Sequence, residues 1–169
     1  HSDGQNKEYN APNLRYPPHN FEAEKALLGA IFSNNNAYDQ VSAYLRPEHF
    51  ADPIHGKIFE SISKLLERGQ IADPITLRVF FEQDGSISDV GGSRYLAEIA
   101  SSMVSVINAA DYGRTIYDLH LKRQLIELGE QVVNTAYSPE VDNFAINQIE
   151  AAEQTLYELP AGNKTPVTD

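Results

Sequence analysis

The sequence predicts an all-α fold in which a globular multi-helix subdomain, residues 20–106, is followed by an antiparallel helical hairpin, residues 107–160. Apolar residues recur at helical spacing after polar or proline-containing helix starts. No segment shows the alternation of apolar and polar residues that is typical of strands. In the last third, leucines follow heptad-like spacing in two runs that are joined by a short connection.

The first 19 residues are polar, contain prolines and lack periodicity, which predicts a flexible N-terminal arm. His1-Ser2 stand where a Met would be expected, so we interpret them as a tag remnant. Asn20 is a predicted N-cap, and two glutamates follow in the first turn, where the helix dipole favours anions. Three asparagines in a row end this helix, and a short second helix is predicted over residues 37–45.

The third and fourth helices share one start signal. Asp52-Pro53 and Asp73-Pro74 each place an acceptor at the N-cap and a proline at the first helical position. We therefore predict helices over residues 53–68 and 74–83. The pair Gly91-Gly92 lacks a complete phosphate-binding glycine motif, so we interpret it as the turn before a fifth helix over residues 93–102.

Two further helices are predicted, one from Asn108 to about Tyr137 and one from Asp142 or Asn143 to about Leu159. The first would be roughly 45 Å long. Their heptad-like spacing lasts for only about two heptads, which is too short for an independent coiled coil. A short connection between two such helices predicts an antiparallel hairpin.

The apolar surface of this hairpin is broader than one partner helix can cover, because Ile116, Leu119, Ile126 and Val133 lie beside the main seam. We therefore expect the hairpin to pack against a copy of itself or against another chain; the alternative is that it folds back onto the globular subdomain. The residues predicted to hold the hairpin together and to support self-association are Leu121, Leu125, Leu128, Ile149, Leu156 and Leu159.

Composition excludes several classes of function. The 169 residues include no cysteine, which excludes a disulfide framework, a thiolate zinc site and a cysteine nucleophile. The net charge is −11, so strong nucleic-acid binding by this chain is not expected, and a protein with a basic face is the expected partner. No apolar run is long enough to cross a membrane and no secretory signal is recognisable, which favours a cytoplasmic location.

One cluster has the residue types of a metal site. His49, Asp52 and His55 lie three residues apart, and imidazole and carboxylate are common metal ligands. Asp52 is already explained as a helix cap, so a structural use of all three is favoured. No nucleotide-binding loop or nucleophile motif is present. We therefore expect no catalytic residue, no cofactor site and no metal site in these residues.

One basic cluster stands out in the first hairpin helix. Arg114, Lys122 and Arg123, with His120, could contact a protein or a phosphate. Acidic residues lie nearby at helical spacing, so a solvated helix face with local ion pairs is favoured. Tyr95 follows a turn and is equally consistent with a core position and with an interface.

Six strings in the sequence keep a common order. The first, Pro-Pro-His-Asn-Phe-Glu-Ala-Glu-Lys-Ala-Leu-Leu-Gly-Ala-Ile at 17–31, pairs Ala-Glu with Leu-Gly. The others are His49-Phe50 with His55 and Ile58-Phe59, Asp73-Pro74-Ile75-Thr76-Leu77, Gly91-Gly92-Ser93-Arg94-Tyr95-Leu96, Ala109-Ala110-Asp111-Tyr112, and Lys122-Arg123-Gln124-Leu125-Ile126. Over about residues 14–160, the chain resembles the N-terminal domain of the bacterial replicative DNA helicase family DnaB.

The resemblance implies a non-catalytic collar domain. In this family the N-terminal domains pair through their hairpins, three pairs form a collar on a hexameric ring, and the collar recruits the C-terminal domain of primase. Unwinding in the 5′ to 3′ direction belongs to an ATPase domain outside these residues, which binds ATP and Mg²⁺; residues 161–169 would begin the linker to it. A helicase loader is a further candidate partner. The positions that match the family's primase contacts are Tyr95, Ile126 and Val132.

Three alternatives stay open at this point. The helicase-binding domain of a primase has a similar fold, although it lacks the Ala-Glu and Leu-Gly opening. A stand-alone helical adaptor would have the same surface without an ATPase partner. A metal-dependent hydrolase would use His49, Asp52 and His55.

Overall fold

The computed structural model describes residues 15–102 and 108–160, and the predicted fold class is confirmed, since these residues form α-helices, 3-10 turns and connecting loops. The ends of the predicted arm and linker, residues 1–14 and 161–169, lie outside the described residues. Short 3-10 turns occupy Pro47–His49 and Ile87–Val90. The helices are α1 (Phe21–Ser33), α2 (Asn36–Asp39), α3 (Pro53–Glu67), α4 (Pro74–Gln83), α5 (Gly92–Ser101), α6 (Ala109–Tyr137) and α7 (Ala145–Glu158).

The side-chain caps predicted for α1, α3 and α4 are confirmed. The Asn20 side chain accepts the backbone N–H of Ala23 at 2.9 Å. Asp52 accepts the N–H of Ile54 at 2.9 Å. In α4 the cap is reciprocal, because Asp73 accepts the Thr76 N–H while the Thr76 hydroxyl accepts the Asp73 N–H. Each cap satisfies a backbone donor that the helix itself leaves free.

The predicted second helix over residues 37–45 is wrong in length, since α2 ends at Asp39 and turns follow. The Arg46 side chain donates to the carbonyls of Ser42 and Leu45, both at 3.1 Å, and so satisfies acceptors that the interrupted helix leaves free. Arg46 also precedes Pro47 and is extended, as the residue before a proline usually is.

The bounds predicted for the first hairpin helix are confirmed, since Asn108 precedes α6 and the helix ends at Tyr137, although the Asn108 side chain makes no cap hydrogen bond. The start predicted for the second hairpin helix is wrong, because Phe144 rather than Asp142 or Asn143 precedes α7. Asn143 instead donates to the carbonyl of Thr135 across the connection. Its side chain therefore ties the end of α6 to the approach of α7.

The core of the globular subdomain is built around α1, whose residues from Ala23 to Ile31 are buried apart from the half-buried Lys25. This helix packs against α3, α5 and the first half of α6. Ile116 and Gly113 of α6 are buried there, so the prediction that Ile116 broadens the outer hairpin surface is wrong. The hairpin folds back onto the globular subdomain through its first half and projects away from it through its second.

No helix within residues 15–102 and 108–160 has the length and apolarity needed to cross a membrane.

Candidate functional site

We call the second half of the hairpin, residues 124–160, the distal hairpin. Most of the exposed large apolar side chains among the described residues lie in this segment. It holds ten of fifteen such residues, and α7 contains no buried residue. A soluble monomer seldom concentrates so many exposed apolar side chains in one region, so this region is a candidate contact surface. The ten are Leu125, Ile126, Val133, Tyr137, Val141, Phe144, Ile146, Ile149, Leu156 and Tyr157.

A groove of about 340 Å³ lies along one flank of the distal hairpin, and we call it the hairpin groove. Val132 of α6 and Ile149 and Leu156 of α7 supply its larger apolar side chains, and two alanines of α7 also line it. Gln148 donates to the carbonyl of Val132 at 2.6 Å and holds the two helices together. An apolar groove between two helices has the shape that accepts a further helix.

A second apolar surface, which we call the α6 stripe, consists of Ile126, Gly129 and Val133. These residues line a cavity of about 880 Å³ together with Tyr16 and Pro17. Val132 lies six positions after Ile126, so the two side chains point about 120° apart around α6.

The structure therefore places the two predicted hairpin contacts for primase on different surfaces. Ile126 belongs to the α6 stripe, and Val132 belongs to the hairpin groove. Tyr95 lies apart from both, on α5 of the globular subdomain.

Tyr95 is the end of a hydrogen-bonded chain that begins at a buried carboxylate. Glu24 is 2% exposed and accepts the backbone N–H of Ala51 at 2.7 Å. The Nδ1–H of His55 donates to Glu24 at 2.7 Å, since a carboxylate can only accept. The Nε2 atom of His55 is in turn hydrogen-bonded to the Tyr95 hydroxyl at 2.6 Å. The chain fixes the position of the Tyr95 ring, which also stacks on His55.

Burial and the neighbouring carboxylates keep the Tyr95 hydroxyl protonated. Burial is the larger cause, followed by Asp52 and Glu98, and together with smaller effects of other carboxylates they raise the pKa of Tyr95 to about 12. The hydroxyl is therefore a hydrogen-bond donor across the whole physiological range.

The six residues predicted to support self-association are uncovered to different degrees. Leu125, Ile149 and Leu156 are 48%, 52% and 49% exposed. The other three, Leu121, Leu128 and Leu159, are half-buried. Their role in self-association stays a prediction.

The residues of the suspected metal cluster have separate local partners. His55 is bound to Glu24 and Tyr95, while the Nδ1 atom of His49 accepts the backbone N–H of Arg46 at 2.9 Å. Asp52 caps α3 and lies 3.8 Å from His55. Across residues 15–102 and 108–160, no three or more histidine and carboxylate side chains are grouped as metal ligands would be.

The solvated-face interpretation of the basic cluster holds for two of its members. Arg114 pairs with Asp111, and Lys122 pairs with Asp118 at 3.4 Å. It is wrong for Arg123, whose half-buried guanidinium donates to the carbonyls of Pro18 at 2.8 Å and His49 at 2.9 Å. These bonds fasten the N-terminal segment and the first 3-10 turn to the middle of α6.

His120 lies beside this contact, with its ring 4.5 Å from that of His49. Burial, assisted by the charge of Arg123 and opposed by that of Glu48, lowers the pKa of His120. Sequence reasoning treated Glu24, Arg123 and His120 as residues of solvated helix faces and missed their contacts with other elements. Helical spacing alone does not show which polar residue of a helix faces another element.

A family model described as "DnaB-like helicase N terminal domain" matches residues 16–118. The replicative DNA helicase DnaB of Rickettsia felis is 48% identical to the chain over 154 residues. That alignment covers 91% of this chain and 31% of the relative, so the chain spans about a third of the length of the curated relatives that it matches.

Solved structures also resemble the chain, among them the following two. The crystal structure of the N-terminal domain of the DnaB helicase from Mycobacterium tuberculosis matches with a TM-score of 0.76 and 28% identity, covering 85% of this chain and 99% of that domain. The structure of a DnaB-like replicative helicase and its interactions with primase matches with a TM-score of 0.66 and 25% identity, covering 86% of this chain and 32% of that one.

Proposed function

The chain belongs to the DnaB-like helicase N-terminal domain family, as the order of its motifs predicts, and we propose that it serves as the collar domain of a replicative DNA helicase. In this role it is a non-catalytic module that pairs with its own copies and recruits primase. The exposed apolar surface of the distal hairpin is the observation that supports the proposal most strongly.

Self-association would use the hairpin groove. Its apolar lining is long enough to accept one helix of a second hairpin, and four helices packed in this way bury an apolar core that two helices leave open. Three such pairs on a hexameric ring would form the collar. The full protein would then unwind DNA in the 5′ to 3′ direction through an ATPase domain that binds ATP and Mg²⁺.

Primase recruitment is supported by the resemblance to a replicative helicase whose structure concerns its interactions with primase. We propose Tyr95, Ile126 and Val132 as contact residues. Because Ile126 and Val132 lie on different surfaces, a rigid partner that binds one hairpin reaches only one of them. A pair of hairpins can present Ile126 from one copy beside Val132 from the other, which predicts a composite docking site.

The test is a calorimetric titration of the chain with the C-terminal domain of the cognate primase, with the solution mass recorded alongside. We expect saturable binding that Ile126→Asp weakens at least tenfold, because a carboxylate on the α6 stripe would be desolvated without a partner. The matched control is Ile75→Asp, which makes the same change at an exposed apolar position of α4.

Three results would each count against part of the proposal. Equal binding by wild type and Ile126→Asp would remove the α6 stripe from the docking site. Equal loss in Ile126→Asp and Ile75→Asp would show that the effect is not specific to the hairpin. A strict monomer that fails to bind primase would contradict the collar role of this chain.

A further inference from the structure

The segment before α1, residues 15–18, which we call the strap, forms one wall of the cavity whose other wall is the α6 stripe. The carbonyl of Pro18, at the end of the strap, accepts a hydrogen bond from the Arg123 side chain at 2.8 Å. The first three residues of the strap line the cavity. The strap is therefore fastened to α6 at one end and lies over the stripe along the rest of its length.

The strap is extended and stiff. Residues 15–20 belong to neither a helix nor a strand. Tyr16 and Pro17 each precede a proline, which disfavours helical backbone at both positions, and the ring of each proline fixes its own φ angle. A segment with so few conformations loses little entropy when it packs on a neighbouring surface.

The strap runs beside α6 toward the distal hairpin. Every residue of α6 that lines the cavity comes after Arg123, to which the strap is fastened. Two extended residues span roughly 7 Å, and six helical residues span roughly 9 Å. Counted from the Arg123 contact, Tyr16 therefore lies at about the level of Gly129.

The α6 stripe has a depression at that level. Gly129 has no side chain, and a Cβ atom there would meet nothing within 4 Å. Ile126 and Val133 lie on the same face of the helix, one turn to either side, and are 44% and 52% exposed. Tyr16, on the opposite wall, is 77% exposed. The depression therefore offers the tyrosine ring an apolar seat between two aliphatic side chains.

Charge favours contact between the same two walls. Arg15 and Glu130 both line the cavity, and both are exposed. Three extended residues and seven helical residues each span roughly 10 Å, so these two side chains also lie at about the same level. An exposed ion pair is weak. Burial of the Tyr16 ring is therefore the main gain from closing the cavity, and the closure is reversible.

We propose that the strap closes over the α6 stripe, with the Tyr16 ring seated on Gly129, and that a docking partner has to displace it. The inference rests on the docking role proposed above for Ile126, and it adds the regulation of that site. A strap that is closed in half to nine-tenths of the molecules lowers the apparent affinity for the partner about two- to tenfold. The hairpin groove lies on a different surface and stays open to a second copy.

The first test is a calorimetric titration of the 169-residue chain with the primase C-terminal domain. Wild type is compared with Tyr16→Ala, which removes the closing ring and leaves the stripe unchanged. We expect Tyr16→Ala to bind primase about two- to tenfold more tightly than wild type. The matched control is Tyr157→Ala, which removes an equally exposed ring from α7 and should not tighten binding.

The second test locks the strap by a disulfide, which is practical because the chain contains no cysteine. In Tyr16→Cys/Gly129→Cys, oxidation by copper phenanthroline should join the two thiols within one chain, since closure brings their Cα atoms within about 7 Å. The oxidised variant should bind primase at least tenfold more weakly than the same variant after reduction. Tyr16→Cys/Ile75→Cys, with its second cysteine on α4, should form no such cross-link.

The possible failures are distinguishable. Equal affinities of wild type and Tyr16→Ala, or no cross-link between positions 16 and 129, would overturn the closed strap. Weaker binding by Tyr16→Ala would make Tyr16 part of the docking surface, which overturns its displacement and leaves the docking role intact. Failure of wild type and of every variant to bind primase would overturn the docking role and this inference together.

Discussion

At the scale of single residues, the chain from Glu24 through His55 to Tyr95 joins α1, α3 and α5 around one buried carboxylate. The carboxylate can only accept hydrogen bonds, so the Nδ1–H of His55 is the donor to it. Tyr95 is one of the three residues proposed above as primase contacts. The network explains how such a residue is held in a fixed position before any partner arrives.

Replacing Tyr95 by phenylalanine removes one hydroxyl and leaves the Nε2 atom of buried His55 without this hydrogen-bond partner. An unsatisfied buried polar group costs about 1–3 kcal/mol, so Tyr95→Phe should lower the free energy of unfolding by that amount in urea denaturation. Tyr137→Phe is the control, since Tyr137 is 84% exposed, and it should change stability by less than about 0.5 kcal/mol. Equal stabilities for the two variants would contradict the proposed hydrogen-bond network.

Replacement of two glycines of α6 by alanine should change the free energy of unfolding in opposite directions. A Cβ atom at Gly113 would lie 2.5 Å from a methyl carbon of Val41 and 2.6 Å from the Tyr44 hydroxyl, whereas a Cβ at Gly129 would meet nothing within 4 Å. Gly113→Ala should therefore destabilise the chain by about 1–3 kcal/mol, because Val41 is buried and has little room to move. Gly129→Ala should stabilise it by about 0.5–1 kcal/mol through helix propensity. Urea denaturation measures both, and stabilisation by Gly113→Ala would contradict the packing of α6 on α2 and its following turns.

At the scale of elements, α6 has two environments along its length. Its first half lies in the globular core, and its second half supports α7 and the two exposed apolar surfaces. Arg123 lies between them and binds the carbonyls of Pro18 and His49. This contact fixes the direction in which the distal hairpin leaves the subdomain.

Arg123→Ala should lower the free energy of unfolding by about 1.5–3 kcal/mol, since two charge-assisted hydrogen bonds to buried or half-buried carbonyls are lost. The neighbouring Lys122→Ala is the matched control, because its exposed pair with Asp118 is worth at most about 0.5 kcal/mol. Urea denaturation of both variants gives the comparison. Indistinguishable midpoints would show that Arg123 does not fasten α6.

His120, which lies beside the Arg123 contact, makes the free energy of unfolding depend on pH. The pKa of His120 is lower in the folded chain than the ordinary 6.5, so below that pH the unfolded chain binds the proton more readily. Stability from this group is therefore complete above about pH 6.5 and declines as the pH falls toward the folded pKa. Between about pH 7.5 and pH 5, the free energy of unfolding of His120→Gln should therefore fall by less than that of wild type. Identical slopes for wild type and His120→Gln would contradict the burial of this imidazole.

The elements themselves were largely predictable, and the exceptions have physical causes. Asp52-Pro53 and Asp73-Pro74 fix helix starts through local backbone geometry, so α3 and α4 follow from the sequence. The length of α2 and the start of α7 were missed, and in both places a side chain outside the helices binds a main-chain carbonyl of another segment. Arg46 binds the carbonyl of Ser42, and Asn143 binds the carbonyl of Thr135 in α6. The burial of Glu24 depends on where α3 begins relative to α1. Such contacts between elements leave no periodic signal in the sequence.

At the scale of the whole molecule, a globular subdomain with a buried core supports a hairpin that buries little by itself. Residues of α1 pack on every side, whereas α7 has no buried residue. Helices of this length are marginal in water without tertiary packing. The arrangement is suited to an assembly in which copies or partners cover the exposed surface of the hairpin. The order of the sequence motifs predicts such a role. The placement of Ile126 and Val132 on different surfaces, in contrast, could be seen only once the fold was known.

Amide hydrogen exchange of the chain, alone and with the primase C-terminal domain, tests this central claim most directly, because it locates the surface that becomes covered. The account predicts that α7 exchanges freely in the dilute chain and that α7 and residues 124–137 of α6 gain protection when the chain is concentrated or primase is added. Exchange in α4 should not change. Full protection of α7 in a dilute monomer, or a gain in protection confined to α4, would contradict the assignment of the distal hairpin as the contact surface.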